Sequence, residues 1–199
     1  MGKLHIIYVP GLGDGRVAGQ QWAANTWRCW GAEAEIVRMG WSDAEPWPAK
    51  LQRLLARIDQ LAVAGHTVGL VGVSAGASAV VNAFAQRKKQ VVGCVLICGA
   101  VNNPDAIGEG YRQHDPAFVA SAYACEKALR TIGAKDRRRI LSRYALADMA
   151  VRRPDSRIPG AHNQLVPTVG HAITIAIQIT LGAPSFIRFL RQLSPVNVR

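Results

Sequence analysis

The sequence predicts an α/β fold, with helices on both faces of a mostly parallel, six-stranded sheet. Short apolar runs rich in β-branched residues alternate with segments of helical periodicity, which is the pattern of βαβ units. The chain has 199 residues, and 49% of them are hydrophobic. This length and composition suit one globular domain over residues 1–199, and they leave no room for two enzymatic modules. We therefore expect a three-layer α/β/α sandwich.

Six short segments have the composition of buried strands, and two segments between them have clear helical spacing. The predicted strands are residues 4–9, 34–38, 68–73, 91–97, 139–144 and 164–168. In the helix predicted at 49–62, leucine and isoleucine recur at helical spacing, at Leu51, Leu54, Leu55, Ile58 and Leu61. The helix predicted at 75–87 ends in basic residues, which the helix dipole favours.

A long connection, residues 99–135, separates the fourth predicted strand from the fifth. Connections outside helices usually have about 2–6 residues. This one contains a polar loop at 102–105 and a predicted helix at 116–129. It is too short to be a domain, and we expect it to form one wall of a pocket.

The sequence Gly72-Val73-Ser74-Ala75-Gly76 matches the pattern G-x-S-x-G between the third predicted strand and the helix after it. At such a nucleophile elbow the serine occupies a strained turn that raises its hydroxyl above the sheet edge. Flanking glycines let the neighbouring backbone approach closely. The same residues also fit an ordinary βα turn in which Ser74 is only a helix N-cap.

A glycine-rich loop, Pro10-Gly11-Leu12-Gly13-Asp14-Gly15, follows the first predicted strand at the same edge. The backbone N–H groups of Leu12 and Ala75 are candidates for an oxyanion hole, since Ala75 begins a helix. The loop is also of a type that cradles phosphates. It lacks the lysine–serine pair of a Walker motif, however, and its spacing does not match G-x-G-x-x-G.

An acid and a histidine follow the last two predicted strands. Asp148 comes after the fifth strand among apolar neighbours, and His171 comes after the sixth. Asp105, after the fourth strand, is the alternative acid. His162 precedes the sixth strand and so falls at the opposite edge. We expect His171 to act as the general base and Asp148 to orient it.

Ser74, Asp148 and His171 stand in the order nucleophile, acid, base, each after its own strand. With the Pro10-Gly11-Leu12-Gly13 loop, they make nearly the whole chain resemble a minimal α/β-hydrolase, of the size of small lipases and lid-less esterases. The resemblance implies the α/β-hydrolase fold. It also implies a serine hydrolase that cleaves carboxylic esters or thioesters through an acyl-enzyme on Ser74.

Two features depart from this family or need it for their interpretation. Pro10 stands where the family often has a histidine, so this loop lacks the side chain that the family often has at that position. In residues 173–181, isoleucine and leucine alternate with smaller or polar residues, which is strand periodicity. The resemblance instead implies a last helix that packs on the sheet.

The implied reaction is acyl transfer to water, for which no metal or organic cofactor is needed. Trp41 and Trp47 follow the second strand at the edge of the triad, so we expect them to line the acyl site. The other tryptophans, Trp22, Trp27 and Trp30, are predicted to pack on the first helix. An open site without a lid domain favours a small or single-chain acyl substrate.

The charge balance leaves a second function class open. Lys and Arg outnumber Asp and Glu by 24 to 13, which gives a net charge of +11. Such charge attracts nucleic acid or anionic membranes, but no nucleic-acid-reading motif accompanies it, so we expect no nucleic-acid partner. The alternative to an enzyme is a catalytically silent hydrolase fold that binds anionic partners through its basic surface.

The sequence also bears on location. No unbroken apolar 18-residue stretch is present, so we expect no membrane span. Residues 1–9 lack the features of a signal peptide. The 4 cysteines show neither a disulfide framework nor metal-ligand spacing. We therefore expect a cytoplasmic protein with reduced thiols, and the oligomeric state stays open.

Overall fold

The computed structural model of the chain describes residues 2–194, in which strands and helices alternate as predicted. In chain order the elements are β1 (Leu4–Val9), α1 (Ala18–Thr26), β2 (Ala32–Ile36), α2 (Trp47–Val63), β3 (Thr67–Val73), α3 (Ala75–Gln86), β4 (Val91–Ile97), α4 (Glu109–His114), α5 (Pro116–Thr131), α6 (Ala134–Arg137), β5 (Ile140–Ala147), α7 (Arg153–Ser156), β6 (His162–Val169), α8 (His171–Ile179) and α9 (Ala183–Leu193). Two 3₁₀ turns occur at Trp27–Trp30 and Pro104–Ala106. Each predicted strand is present, with small shifts at its ends.

The strands form one six-stranded sheet in the order β2-β1-β3-β4-β5-β6, and every neighbouring pair is parallel. Helices α2, α3 and α5 cover one face, and α1, α8 and α9 cover the other. The predicted three-layer fold is confirmed. Because the strands are parallel, all their carboxyl ends meet at one edge, where ligands bind in open α/β sheets.

Strand β1 shows how the two faces of the sheet divide the core. Leu4, Ile6 and Tyr8 pack against α1 and α9, whereas Ile7 and Val9 pack against α2 and α3. This alternation follows from the two-residue repeat of a strand. His5 lies on the same face as Ile7, at a position that the alternation gives to an apolar side chain.

The segment with alternating isoleucines is the helix α8, as the resemblance implies. Its buried residues include Thr174 and Gln178, four positions apart, whereas Ile173 is 59% exposed. The helix thus buries polar side chains and exposes an apolar one. For this reason the apolar residues show the two-residue repeat of a strand, although the segment is a helix. No single helix within residues 2–194 has the length and apolar composition to cross a membrane, but α8 and α9 together, bent by 62°, have both.

Candidate active site

Ser74 lies between β3 and α3 with a backbone φ of 52° and ψ of −123°, a region that residues with a side chain rarely adopt. Glycines make this turn possible. A Cβ atom on Gly11 would lie 2.8 Å from the Ser74 Cβ, and one on Gly76 would lie 2.2 Å from the Val9 carbonyl oxygen. The loop after β1 therefore packs directly against the elbow, and it brings Leu12 beside Ser74.

Asp148 and His171 form a hydrogen-bonded pair at the same edge. The distance from His171 Nδ1 to Asp148 Oδ2 is 2.8 Å, and the Asp148 side chain is only 3% exposed. Asp148 Oδ1 accepts the backbone N–H groups of Ala150 at 2.8 Å and Val151 at 2.9 Å. The carboxylate is thus held by three donors, which fixes its orientation toward the imidazole.

The pKa of Asp148 reflects this environment. Burial alone raises the pKa of the carboxyl, but the hydrogen bonds from Val151, His171 and Ala150 outweigh burial and lower the pKa below its usual range. Asp148 is therefore ionised at neutral pH. An ionised carboxylate on Nδ1 leaves the other ring nitrogen of His171, Nε2, as the acceptor for a proton.

Ser74 and His171 line one cavity, together with Leu12. Within residues 2–194 no direct hydrogen bond joins the Ser74 hydroxyl to His171, and catalytic hydrogen bonds of this kind often tighten only with substrate bound. In the same part of the chain, the backbone N–H groups of Leu12 and Ala75 donate to no protein acceptor. Two N–H donors beside a serine are what an oxyanion hole requires.

Two walls meet at Ser74 and Leu12. On one side, the connection at residues 99–135 contributes a wall with Asn102, Ile107, Tyr111 and Phe118. On the other, a more apolar groove runs between α1 and α8. Its lining includes Trp22, Ile175, Ala176 and Ile179, together with His171. The long connection thus borders Ser74, and α8, which carries the histidine at its first residue, borders the groove.

The structure places Trp41 and Trp47 away from both walls. They are 0% and 5% exposed and stack on each other in the core, with ring centroids 6.2 Å apart. The indole N–H of Trp41 donates to the Pro10 carbonyl oxygen at 3.2 Å, so this ring supports the loop before Leu12. The expectation that the two line the acyl site is corrected, because burial removes both rings from the cavity. Trp22, expected to pack on α1, is instead 64% exposed and lines the groove.

The alternative site residues have other partners. Asp105 Oδ1 accepts the Tyr123 hydroxyl at 2.6 Å, whereas the partner of His171 is Asp148. His162 begins β6 at the opposite end of the sheet and packs edge-on against Phe189. Strand order is the sequence signal that excludes His162, because only a residue after a strand reaches the carboxyl edge. Asp105 also follows a strand, and its hydrogen bond to Tyr123 is what distinguishes it from Asp148.

Cys98 is a neighbour of the pair that sequence reasoning missed. It follows β4 with a φ of 48°, is fully buried, and has its sulfur within 4.8 Å of ligating atoms of Asp148 and His171. Burial and the nearby Asp148 carboxylate raise the pKa of the Cys98 thiol to about 12. Cys98 therefore stays protonated beneath the pair. The sequence signal for its place at the active-site edge is its position directly after a strand. A cysteine within an apolar run, however, is typical of a core residue.

Comparison with known proteins gives the fold a family name. No protein-family model matches the sequence, and no curated protein is significantly similar to it. Solved structures do match over nearly the whole chain. One, from work on LipS and LipT, two metagenome-derived lipolytic enzymes, has a TM-score of 0.70 at 14% identity and covers 96% of this chain and 94% of its own.

Two further structures also match over nearly the whole chain. Est1E from Butyrivibrio proteoclasticus has a TM-score of 0.70 at 15% identity, covering 96% of this chain and 89% of its own. MGS-MChE2, an alpha/beta hydrolase enzyme from the metagenome of lagoon sediments at Mar Chica, Morocco, has a TM-score of 0.60 at 16% identity, covering 96% and 90%. The chain has the α/β-hydrolase fold.

Proposed function

We propose that the protein is a serine hydrolase that cleaves carboxylic esters or thioesters through an acyl-enzyme on Ser74. One observation carries the proposal: Ser74, on a strained elbow, lines the same cavity as His171, whose Nδ1 is held by the ionised Asp148. A binding module has no need of this combination. The lipolytic enzymes and esterases among the structures of similar fold support it.

In the proposed acylation, His171 Nε2 removes the proton of the Ser74 hydroxyl as the oxygen attacks the substrate carbonyl. The carbonyl oxygen becomes an oxyanion, and the N–H groups of Leu12 and Ala75 donate to it. Asp148 stabilises the imidazolium that forms. When the tetrahedral intermediate collapses, the bond to the leaving group breaks, and His171 returns its proton to the departing alcohol or thiol.

Deacylation repeats these steps with water. His171 Nε2 accepts a proton from water as the water oxygen attacks the acyl-enzyme carbonyl, and the same two N–H groups hold the second oxyanion. Collapse breaks the bond to the Ser74 oxygen, which recovers its proton from His171. The products are a carboxylic acid and the regenerated serine, so the chain's own residues complete the cycle.

The groove between α1 and α8 is the proposed acyl site. Its lining includes the ring of Trp22 and the branched side chains of Ile175 and Ile179, which follow His171 by one and two turns of α8. Apolar walls of this kind gain free energy by removing hydrocarbon from water, at about 25 cal/mol per Å². A single apolar acyl chain therefore fits this groove, with the alcohol or thiol portion toward the wall at residues 99–135.

Covalent labelling with a fluorophosphonate probe tests the nucleophile. We expect wild-type protein to be labelled and Ser74→Ala to remain unlabelled. Ser78→Ala is the matched control: this serine lies one turn further along α3, where its hydroxyl hydrogen-bonds Ser121 at 2.7 Å, so labelling should persist. Labelling of folded Ser74→Ala contradicts the proposal. A folded wild-type protein that takes no label favours the silent binding module.

Chain-length selectivity tests the acyl site. With p-nitrophenyl esters of increasing acyl length, we expect Trp22→Ala to lower kcat/KM for long acyl chains by about tenfold, the cost of about 1.4 kcal/mol of lost contact. The acetate ester should be almost unaffected. Trp30→Ala is the control, because Trp30 is also exposed, at 47%, but does not line the groove. If Trp22→Ala lowers kcat/KM equally for every acyl length, the acyl chain does not bind in this groove.

A further inference from the structure

His5 is a largely buried polar side chain on the sheet face where the other β1 residues, Ile7 and Val9, are apolar. Its side chain is 12% exposed, and both ring nitrogens are buried without a hydrogen-bond partner. In the part of the chain that the structure describes, these are the only buried side-chain nitrogen or oxygen atoms in this state. Leaving such an atom unsatisfied costs about 1–3 kcal/mol, so a missing partner needs an explanation.

Carboxylates face both nitrogens of His5 without bonding to them. Glu33, the residue paired with His5 on β2, has its Oε2 atom 3.7 Å from Nδ1. Glu35 has its Oε2 atom 3.6 Å from Nε2. Both separations exceed hydrogen-bond length. The ring of His66, which precedes β3, lies 5.3 Å from the His5 ring between centroids.

His5 lies on β1, Glu33 on β2 and His66 just before β3, so the three residues meet at the amino edge of the sheet, opposite the candidate active site. One potential ligand atom from each of His5, Glu33 and His66 lies within 4.8 Å of the others. Ligand atoms in a tetrahedral zinc shell are about 3.3 Å apart, given bond lengths of about 2.0–2.2 Å. Small side-chain rotations would close that difference, because Glu33 and His66 are both partly exposed.

We propose that His5, Glu33 and His66 bind a Zn²⁺ ion. The donor set of two imidazole nitrogens and one carboxylate oxygen is one that zinc takes, with water as the fourth ligand. The Glu33 side chain is 42% exposed, which gives that water access. The ion supplies a partner for one of the two ring nitrogens of His5, and Glu35 faces the other.

The residues around the cluster already orient these ligands. Arg57 holds both oxygens of Glu35, at 2.6 Å and 2.7 Å, so this carboxylate is fixed opposite His5 Nε2. A histidine that binds zinc through one nitrogen usually gives its other N–H to a carboxylate, and Glu35 is in that position. The Lys3 ammonium donates a hydrogen bond to Glu33 Oε1 at 2.5 Å. The other carboxylate oxygen of Glu33, Oε2, therefore faces Nδ1 of His5.

Zinc titration of the chelator-treated full-length protein tests the site, by calorimetry and by metal analysis after dialysis. We expect one tightly bound zinc at this cluster and a rise in Tm of about 5–10 °C at saturating metal. His66→Ala and Glu33→Gln, both surface changes, should each weaken binding at least about tenfold and remove the rise in Tm. Circular dichroism would show that both variants fold.

Two controls separate this cluster from other sources of binding. Among residues 2–194, Cys98, Asp148 and His171 form the other group whose ligand atoms are close enough to hold a metal. His171→Ala and the surface variant His114→Ala should therefore keep the tight zinc and the rise in Tm. Loss of the zinc in His171→Ala but not in His66→Ala overturns the proposal, and so does a wild-type protein that binds no zinc at micromolar concentration.

Discussion

Asp148 at the carboxyl edge of the sheet and His5 at the amino edge both have ionisable side chains that are largely buried. Asp148 accepts three hydrogen bonds, from His171 and from two backbone N–H groups. The two nitrogens of His5 have no partner in the described residues. The protein's own atoms therefore complete the polar cluster at the carboxyl edge, whereas the cluster at the amino edge requires an atom that the chain does not contain.

This difference separates catalysis from stability. At the carboxyl edge, strain and satisfied hydrogen bonds orient groups around a cavity, so substitutions there should change the reaction more than the folded state. At the amino edge, the burial of unsatisfied atoms weakens the fold until an ion binds. Substitutions there should change stability and leave the reaction unaffected.

The largest expected effect is at the carboxyl edge, in Ser74→Ala. Removing the nucleophile should lower kcat for ester hydrolysis by about 10⁴–10⁶-fold. The free energy of unfolding should change little, because the positive φ at position 74 strains alanine about as much as serine. Steady-state kinetics and urea unfolding measure the two quantities. A large loss of stability, with activity reduced only in proportion to the folded fraction, would contradict the separation.

The next largest effect is expected from Asp148→Asn, which should lower kcat/KM by about 10³–10⁴-fold because the amide cannot stabilise the imidazolium or its tautomer. Asp105→Asn is the matched control. Asp105 bonds to Tyr123, so its substitution should leave turnover nearly unchanged. If only the Asp105 variant is inactive, the acid is Asp105, and the pair of Asp148 with His171 has a structural role.

The same carboxylate makes a prediction about pH. The pKa of Asp148 is lower in the folded protein than its ordinary value, so ionisation contributes stability above the unfolded pKa. That contribution is lost as the pH falls through the folded pKa. The stability difference between wild type and Asp148→Asn should therefore shrink from neutral pH toward acid. Urea unfolding at a series of pH values measures it, and a difference that is independent of pH would contradict this prediction.

The fold and the candidate triad could be predicted because their signals lie along the chain. A strand followed by a turn places its next residue at the carboxyl edge, so order along the chain indicates Ser74 and His171 for one site. The acid needed a second signal, the apolar neighbours of Asp148, because Asp105 also follows a strand. The amino-edge cluster carries no such signal. His5, Glu33 and His66 come from three separate segments, and only the pairing of β1 with β2 and β3 brings them together.

The tryptophans show why exposure was harder to predict than topology. Trp41 and Trp47 follow a strand at the correct edge, but the stacking of the two rings and the hydrogen bond to Pro10 keep them in the core. Trp22 lies on a helix whose buried residues are the small Ala23 and Ala24. The Trp22 ring therefore lies on the solvent-exposed face of α1, where it lines the groove. Neither outcome is encoded in the local sequence.

A smaller effect is expected at the amino edge, from His5→Leu. Replacing the two unsatisfied nitrogens by a hydrocarbon of similar size should stabilise the metal-free protein by about 1–2 kcal/mol. Ester hydrolysis should be unchanged, and zinc should no longer raise Tm. His162→Leu is the control, because its ring lies against Phe189 at the same end of the sheet. A metal-free His5→Leu protein less stable than wild type would show that His5 already has a favourable environment.

The smallest expected effect isolates the strain at the elbow, through a comparison of Ser74→Gly with Ser74→Ala. Both variants lack the nucleophile, so they should be equally inactive. Glycine adopts a φ of 52° without the steric cost that alanine pays there. Ser74→Gly should therefore unfold at higher urea concentration, with a gain of about 1 kcal/mol over Ser74→Ala. Equal stability of the two variants would mean that the elbow stores no strain, and that the rigidity of the carboxyl edge comes from the hydrogen bonds of Asp148 alone.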